Sequence, residues 1–185
     1  MSEVTHIGPD PAERVERRWA TISIAIVALL VVMAAFAGIH EAVMPQTRIE
    51  TIDPRTLHIA GEFIESNLGS AVEPDGSVVV RFIAQQFSFT PQCLLVPADT
   101  PVTLRTTSAD VVHGLLIADT NVNTMVVPGY ISQVHTVFRT TGDLVMPCHE
   151  FCGLGHSQMI ATVRVVPAAD FKPDATGRAS CDDKL

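Results

Sequence analysis

The residues with the most specific chemistry lie in one short segment, residues 146–159, which reads MPCHEFCGLGHSQM. Within it, Cys152, His156 and Met159 form a Cys-x3-His-x2-Met pattern. With one distant histidine added, this pattern supplies one thiolate, two imidazoles and a weak axial thioether, which is the ligand set of a copper electron carrier. His113, in the segment SADVVHG, is the candidate for that histidine.

A second cysteine turns this pattern into a candidate two-metal site. Cys148 precedes Cys152 by four residues on the same loop, so two bridging sulfur atoms could hold two copper ions. Each copper ion then needs one imidazole and one weak outer ligand. Gly153 and Gly155 allow the loop to fold tightly past the sulfur atoms. The candidate metal ligands are His113, Cys148, Glu150 through its backbone carbonyl, Cys152, His156 and Met159.

Simpler uses of the same residues are also open. The two cysteines could bind zinc tetrahedrally with His149 and His156, but Met159 and the distant histidine would then have no role. The two thiols could instead form a disulfide, which would describe the metal-free state. One thiol could act as a nucleophile beside a histidine, which again leaves the methionine unexplained. We expect His149 to lie at the surface or behind the ligands.

The elements that position the segment are predicted to be β-strands. Short stretches rich in Val, Ile, Phe and Thr are separated by turn signals such as Pro128-Gly129, without a helical pattern between them. The predicted strands cover residues 77–84, 93–96, 102–106, 111–117, 131–138, 143–146 and 160–166. This succession favours an antiparallel sandwich or barrel over a parallel α/β sheet.

An apolar run precedes these strands. Residues 19–39 contain no charge, and as a helix they span about 30 Å, the thickness of the hydrocarbon core of a membrane. A buried core helix and a cleaved signal peptide are the alternatives, although the apolar region of a signal peptide is usually only about 7–15 residues long. Three arginines lie within residues 14–18, whereas the first basic residue after the run is Arg48. This asymmetry predicts a cytoplasmic N-terminus and an outer C-terminal domain.

Three further residues have more than one possible role. Cys93 and Cys181 could form a disulfide that pins the C-terminal tail, or they could remain free thiols. Asp110 lies three residues before His113 and could orient loops by hydrogen bonding, or it could be an ordinary turn residue.

The composition excludes two broad classes. The 185 residues carry a formal net charge of −8, which argues against a nucleic-acid partner because phosphates require a basic face. The chain is 47% hydrophobic and 17% charged, which is not the composition of a disordered protein. The acidic surface could attract a basic electron donor over a long distance.

The motifs resemble those of one protein family. The segment CHEFCGLGHSQM, with SADVVHG upstream, resembles the dinuclear CuA motif of subunit II of the heme–copper oxidases. The likeness extends to the single N-terminal helix, the stretches QFSFTPQCLLVP and NVNTMVVPG, and the terminal IATVRVV. The chain most resembles the short, single-span form of this subunit found in B-type cytochrome c oxidases.

The resemblance implies a role for each residue of the site. It implies copper ligation by the six candidate ligands and transfer of single electrons from cytochrome c, or a similar small donor, to heme in the large subunit. In many relatives a carboxylate at the position of Glu150 also binds Mg at the interface with that subunit, a role less expected in a single-span form. Electrons enter many relatives near an aromatic strand that carries Trp, whereas the only Trp here is Trp19. Phe87 is the candidate for the edge of an electron-uptake patch, unless Phe87 and Phe89 both fill the core.

The predicted protein is therefore the electron-transfer subunit of a cytochrome c oxidase in a prokaryotic inner membrane, in contact with lipid and with a heme-bearing large subunit. It performs no oxygen chemistry by itself, and the enzyme activity belongs to the complex. The predicted parts are a cytoplasmic segment (1–18), a transmembrane helix (19–39), a lead-in or linker (40–76), a cupredoxin-like Greek-key β-barrel that carries CuA (77–168) and a tail (169–185). The alternatives are the similar subunit of a nitric oxide reductase, or a membrane-tethered copper-binding protein or chaperone with one exchangeable copper ion.

Overall fold

The structure is a computed structural model that describes residues 10–40 and 49–181. The chain divides into two compact units, Met1–Thr47 and Arg48–Leu185. The start of the predicted cytoplasmic segment, the first part of the predicted lead-in and the last four residues of the tail lie outside the described residues.

The N-terminal unit contains a single helix, α1, which runs from Pro11 to His40. It begins before the apolar run, because Asp10 accepts a hydrogen bond from the backbone N–H of Ala12 and proline is well tolerated in the first turn. By length and composition, Pro11–Ile39 is long and apolar enough to cross a membrane. Its described side chains are exposed all round, which is not the pattern of a core helix of a soluble domain.

In its described residues, 49–181, the C-terminal unit is built from eleven strands and three short 3-10 helices. The strands are β1 (Gly69–Val72), β2 (Val78–Gln85), β3 (Ser88–Thr90), β4 (Cys93–Pro97), β5 (Pro101–Ser108), β6 (His113–Leu116), β7 (Asn123–Val126), β8 (Ser132–Val137), β9 (Gly142–Pro147), β10 (Ile160–Val166) and β11 (Arg178–Ala179). The 3-10 helices are Pro54–Thr56, Glu65–Asn67 and His156–Gln158. Each predicted strand overlaps an observed one, and β3 lies in the stretch QFSFTPQCLLVP, which the resemblance implies to be a pair of strands. The short strands β1, β7 and β11 were not predicted.

The strands form three sheets. One has the order β11-β1-β2-β5-β8, with β3 also paired to β2, the second has the order β4-β10-β9, and the third pairs β6 with β7. Most strand pairs are antiparallel, as expected, but β2 pairs with β5 and β4 with β10 in parallel. The chain leaves the first sheet after β3, contributes β4 to the second sheet and then returns as β5. Because the chain passes through the second sheet between them, β2 and β5 can lie side by side in parallel without a connecting helix.

The two larger sheets share one buried core. Alternate residues along their strands point inward, among them Val80 and Phe82 of β2, Leu104 of β5, Leu94 of β4 and Val163 of β10. The prediction of a mainly β fold with one N-terminal apolar helix is thus confirmed. The core matters for function because Cys148, Cys152 and Met159 belong to it.

Part of the predicted lead-in packs against the β unit and does not form a free linker. Leu57 and Phe63 form a second, smaller core with Ile83 of β2. Beside it, Arg105 of β5 makes ion pairs with Glu50 and Glu62. The sequence signal was weak because Pro and Gly interrupt this segment, so its apolar residues follow neither a helical nor a strand period.

The C-terminal tail is attached at two points. β11 pairs with β1, and Cys181 forms a disulfide with Cys93 at the start of β4, with their Cα atoms 5.9 Å apart. The structure thus selects the disulfide over two free thiols. The tail adds β11 as an edge strand to the first sheet. The sequence did not indicate this strand, because it is only two residues long and lies in a polar stretch.

Candidate metal centre

The candidate ligands come from two places in the fold. His113 is the first residue of β6, and the other five lie in the connection between the antiparallel strands β9 and β10. Cys148 directly follows β9, whereas Met159 directly precedes β10. His156 begins the short 3-10 helix within the connection. The hairpin therefore brings the ends of the segment together, so that ligands distant by up to eleven positions in sequence can meet.

Backbone hydrogen bonds close this loop. The N–H of Cys148 donates to the carbonyl of Met159 at 2.9 Å. The N–H of Met159 donates to the carbonyl of His156, and that of His156 to Gly153, both at 3.1 Å. Gly153 has a φ of +132°, a conformation that favours glycine. These hydrogen bonds define the shape of the loop without any contribution from a metal ion.

Strand β6 lies directly against the loop. The N–H of His149 donates to the carbonyl of Gly114 at 3.0 Å, and Leu115 forms an antiparallel bridge with Cys148. A Cβ atom at Gly114 would lie only 2.6 Å from the backbone nitrogen of Glu150. Sequence reasoning missed this requirement, although a glycine immediately after a candidate histidine ligand was the available signal.

The structure brings all six predicted donor groups together. The Sγ atoms of Cys148 and Cys152 are 3.8 Å apart. The Nδ1 atom of His113 lies 3.7 Å from Cys148 Sγ, and that of His156 lies 3.7 Å from Cys152 Sγ. The Sδ atom of Met159 is 3.7 Å from Cys152 Sγ, and the Glu150 carbonyl oxygen is 3.2 Å from Cys148 Sγ.

This donor set fits copper. A bond between a metal ion such as zinc and a thiolate is about 2.3 Å long, so sulfur atoms 3.8 Å apart can both bind the same ion. Two soft thiolates, two imidazoles and a thioether are donors that suit copper. The alternative zinc set is not assembled in the same way, because His149 is exposed whereas the buried His113 lies with both cysteines, their ligand atoms all within 4.8 Å.

The two cysteines of the site are free thiols and are buried. Burial, and after it the neighbouring Cys148, raises the pKa of the Cys152 thiol to about 11. The thiol therefore holds its proton at neutral pH. Metal binding has to displace this proton, because the thiolate is the form that coordinates metal ions.

Asp110 fixes the orientation of the His113 ring. Its Oδ1 atom lies 2.9 Å from His113 Nε2, on the side of the ring away from the Nδ1 atom that faces the sulfurs. Burial by itself would raise the pKa of Asp110, but hydrogen bonds from Gln86, His113 and Val111 hold it below its usual value. Of the two roles open for Asp110, hydrogen bonding that orients the site is the one the structure shows.

Phe87 and Phe89 differ in their surroundings. Phe89 is fully buried in the core, whereas Phe87 is 38% exposed and its ring lies against the loop. A Cβ atom at Gly155 would come within 2.5 Å of that ring. The loop also presents Phe151 and Leu154 to solvent, 72% and 102% exposed, which sequence reasoning did not single out. An electron-uptake role for Phe87 stays a prediction.

Comparisons with known proteins identify a family that this chain resembles. A family model described as "Cytochrome C oxidase subunit II, periplasmic domain" matches residues 80–166. A "Cytochrome c oxidase subunit 2" of Thermus thermophilus is 30% identical over 152 residues, which cover 81% of this chain and 90% of the relative. A second relative with the same description, also from Thermus thermophilus, is 31% identical over 123 residues, covering 66% and 91% of the two chains.

A solved structure supports the fold. One chain of a heme-copper terminal oxidase dimer, determined by cryo-EM, superposes with a TM-score of 0.60 at 23% sequence identity. The match covers 82% of this chain and 99% of that chain.

Proposed function

We propose that this chain, which belongs to the cytochrome c oxidase subunit 2 family, holds two copper ions between Cys148 and Cys152 and passes single electrons through them. The membership rests on relatives at 30% and 31% identity whose length this chain spans almost completely. Within that family the chain is the copper-bearing electron-transfer subunit of a terminal oxidase. The proposal concerns the number of copper ions and the residues that bind them.

One observation carries the proposal: the two unbonded Sγ atoms stand 3.8 Å apart with a histidine Nδ1 atom 3.7 Å from each. A single copper ion could bind both thiolates, but it would not use all six of the donor groups that the loop and β6 bring together. A pair of sulfur atoms shared by two ions uses both thiols, both imidazoles and the two weaker donors, Met159 and the carbonyl of Glu150. Tetrahedral zinc would use only four of these groups.

Copper supplies one-electron redox chemistry when it is bound. The contribution of the chain is to hold the donor atoms in place and to exclude water. His113 and Met159 are fully buried, and the two cysteines are only 5–6% exposed. Because these donors are rooted in a packed core, little needs to move when the charge of the site changes. Among the ligands that would bind through their side chains, His156 is the least buried, and the exposed ring of Phe151 packs edge-on against it.

The partners follow from the family. A heme-bearing catalytic subunit would receive the electrons, and cytochrome c or a similar small protein would supply them. Helix α1 would anchor the chain, with the N-terminus in the cytoplasm and the β unit on the outer side of a prokaryotic inner membrane. A magnesium role for Glu150 would depend on the catalytic subunit, since the side chain of Glu150 is exposed on this chain.

The decisive experiment measures metal content and paramagnetic resonance on the full chain, purified in detergent and loaded with copper. We expect two copper ions per chain and a seven-line hyperfine pattern from one electron shared by two nuclei. A four-line pattern with one copper ion would identify a tethered copper carrier. A chain that retains zinc and shows no signal would identify a structural zinc domain. Either of these results would overturn the proposal.

The final electron acceptor is tested on the complex. A nitric oxide reductase subunit would show the same copper signal, so the intact complex is supplied with reduced donor and either oxygen or nitric oxide. We expect oxygen consumption. Turnover of nitric oxide without oxygen consumption would assign the chain to a nitric oxide reductase.

A further inference from the structure

The turn between β2 and β3 reaches the metal loop through a side chain that the ligand set does not include. The Nε2 atom of Gln86 donates a hydrogen bond to the carbonyl oxygen of Cys152. Gln86 is placed by its own backbone, whose N–H donates to Asp110 Oδ2 at 2.7 Å. Asp110 in turn lies 2.9 Å from Nε2 of His113 through its other oxygen.

These contacts form one continuous chain of hydrogen bonds between two ligands. It runs from His113 at the start of β6 through Asp110 and Gln86 to the peptide group of Cys152. None of these contacts needs a metal ion. The relative position of a histidine ligand and a cysteine ligand, which come from different parts of the fold, is therefore set by protein contacts alone.

The carbonyl of Cys152 is a point where such support matters. It is followed by Gly153, whose φ of +132° lies in a region that glycine adopts without steric cost. The peptide group between Cys152 and Gly153 therefore has more rotational freedom than it would have before another residue. A hydrogen bond to its oxygen removes that freedom next to a bridging sulfur.

We propose that Gln86 is a positioning residue for the copper centre, which holds the Cys152 peptide group in register with His113 and thereby slows copper loss. This inference rests on the proposed function. Residues that support metal ligands from outside typically change metal affinity about 10–100-fold when they are mutated. Because Gln86 is exposed and acts through one hydrogen bond, the lower end of this range applies.

The test compares three variants of the copper-loaded full chain. Gln86→Met keeps the length and bulk of the side chain but removes its N–H donor, and Gln86→Ala removes both. Gln85→Met makes the same change at the neighbouring residue, whose side chain is not part of the chain of hydrogen bonds described above. Copper release to an excess of chelator is followed by loss of the optical and paramagnetic signals, and the reduction potential is measured in parallel.

We expect Gln86→Met and Gln86→Ala to release copper about tenfold faster than the wild type and to shift the reduction potential, while Gln85→Met behaves as the wild type. If Gln86→Met matched the wild type, the contact would be one of packing and the inference would be wrong. The same conclusion would follow if Gln85→Met accelerated release as much as the Gln86 variants.

A measurement without copper separates this inference from the proposed function. Hydrogen exchange of the amides of residues 152–155 is measured on the metal-free full chain. We expect faster exchange in Gln86→Met than in the wild type or in Gln85→Met. A wild type that binds no copper pair would overturn the proposed function, whereas equal exchange in all three chains would overturn only the role of Gln86.

Discussion

The four cysteines of this chain form two pairs, one oxidised to a disulfide and one with free thiols. Cys93 and Cys181 are joined in a disulfide, whereas Cys148 and Cys152 remain free with their sulfur atoms 3.8 Å apart. The disulfide connects residues separated by 88 positions and ties a short edge strand to the β unit. The free pair lies four residues apart on one loop, in a buried site beside two histidines.

The difference shows that neighbours decide what a pair of thiols does. The Cys93–Cys181 pair is cross-linked and lies outside the cluster of potential metal ligands found among the described residues. The second pair is surrounded by nitrogen and sulfur donors at 3.7 Å, and the hydrogen-bonded loop sets its separation. We therefore expect the disulfide to stabilise the fold and the free pair to bind metal. The following substitutions test whether these two roles are independent.

The largest effect is expected from Cys148→Ser. A serine hydroxyl is a poor ligand for copper, and only one thiolate would remain, so the two-copper centre is lost or reduced to a single-copper site. Metal analysis and the change from a seven-line to a four-line paramagnetic pattern measure this loss. Retention of the two-copper signal would contradict a bridging role for Cys148. The matched control is Cys93→Ser, which is expected to retain that signal.

The next largest effect is expected from Cys181→Ser, and it concerns stability. Opening a loop of this length is expected to lower the free energy of unfolding by about 4–5 kcal/mol by the chain-entropy estimate. Thermal unfolding of the metal-free full chain, with and without reductant, measures the change. Copper content per folded chain is expected to stay the same, and a loss of copper in the folded variant would show that the two pairs are not independent.

Gly114→Ala tests the contact between β6 and the metal loop. The new Cβ atom would meet backbone atoms of His149 and Glu150 at 2.6–3.0 Å, so strand and loop have to separate. We expect a loss of about 1–3 kcal/mol in stability, as for other overpacked sites, together with weaker copper binding. Gly155→Ala is the comparison, because its Cβ atom would meet the ring of Phe87 and not backbone. A larger effect at Gly155 than at Gly114 would contradict this account.

The smallest effect is expected from Met159→Leu. A thioether is a weak ligand that tunes a copper site, so the two ions should stay bound while the reduction potential shifts. Met146→Leu is the matched control, since Met146 is equally buried in the same core but is not a predicted ligand. Electrochemical titration of both variants decides the question, and an unchanged potential in Met159→Leu would remove Met159 from the ligand set.

Much of the candidate site could be predicted because its ligands are close in sequence. Five of the six lie within residues 148–159, where spacing alone limits which side chains can meet across a hairpin. His113 is more distant, and its assignment depended on the neighbouring motif. The long apolar helix could be predicted equally well, since an uncharged run is a local property of the sequence.

Supporting residues could not be predicted in the same way. Gln86 lies far from the loop in sequence and is a common polar residue, so nothing in its local pattern indicates which atoms it contacts. The position of Asp110 three residues before His113 allowed a hydrogen-bonding role but did not identify its partners. Gly114 follows a candidate ligand, but only the structure places its carbonyl oxygen 3.0 Å from the backbone nitrogen of His149. These contacts depend on how separate strands are arranged.

Residue types at short separations specify the candidate site, the strands that flank it and the apolar helix, so these features could be predicted from the amino-acid sequence. The folded structure was needed to establish the parallel strand pairs, the packing of residues 49–72 onto the β unit, the choice of the disulfide over free thiols and the contacts of Gln86. Each of these features joins segments that are distant along the chain, so its geometry is set only when the core packs.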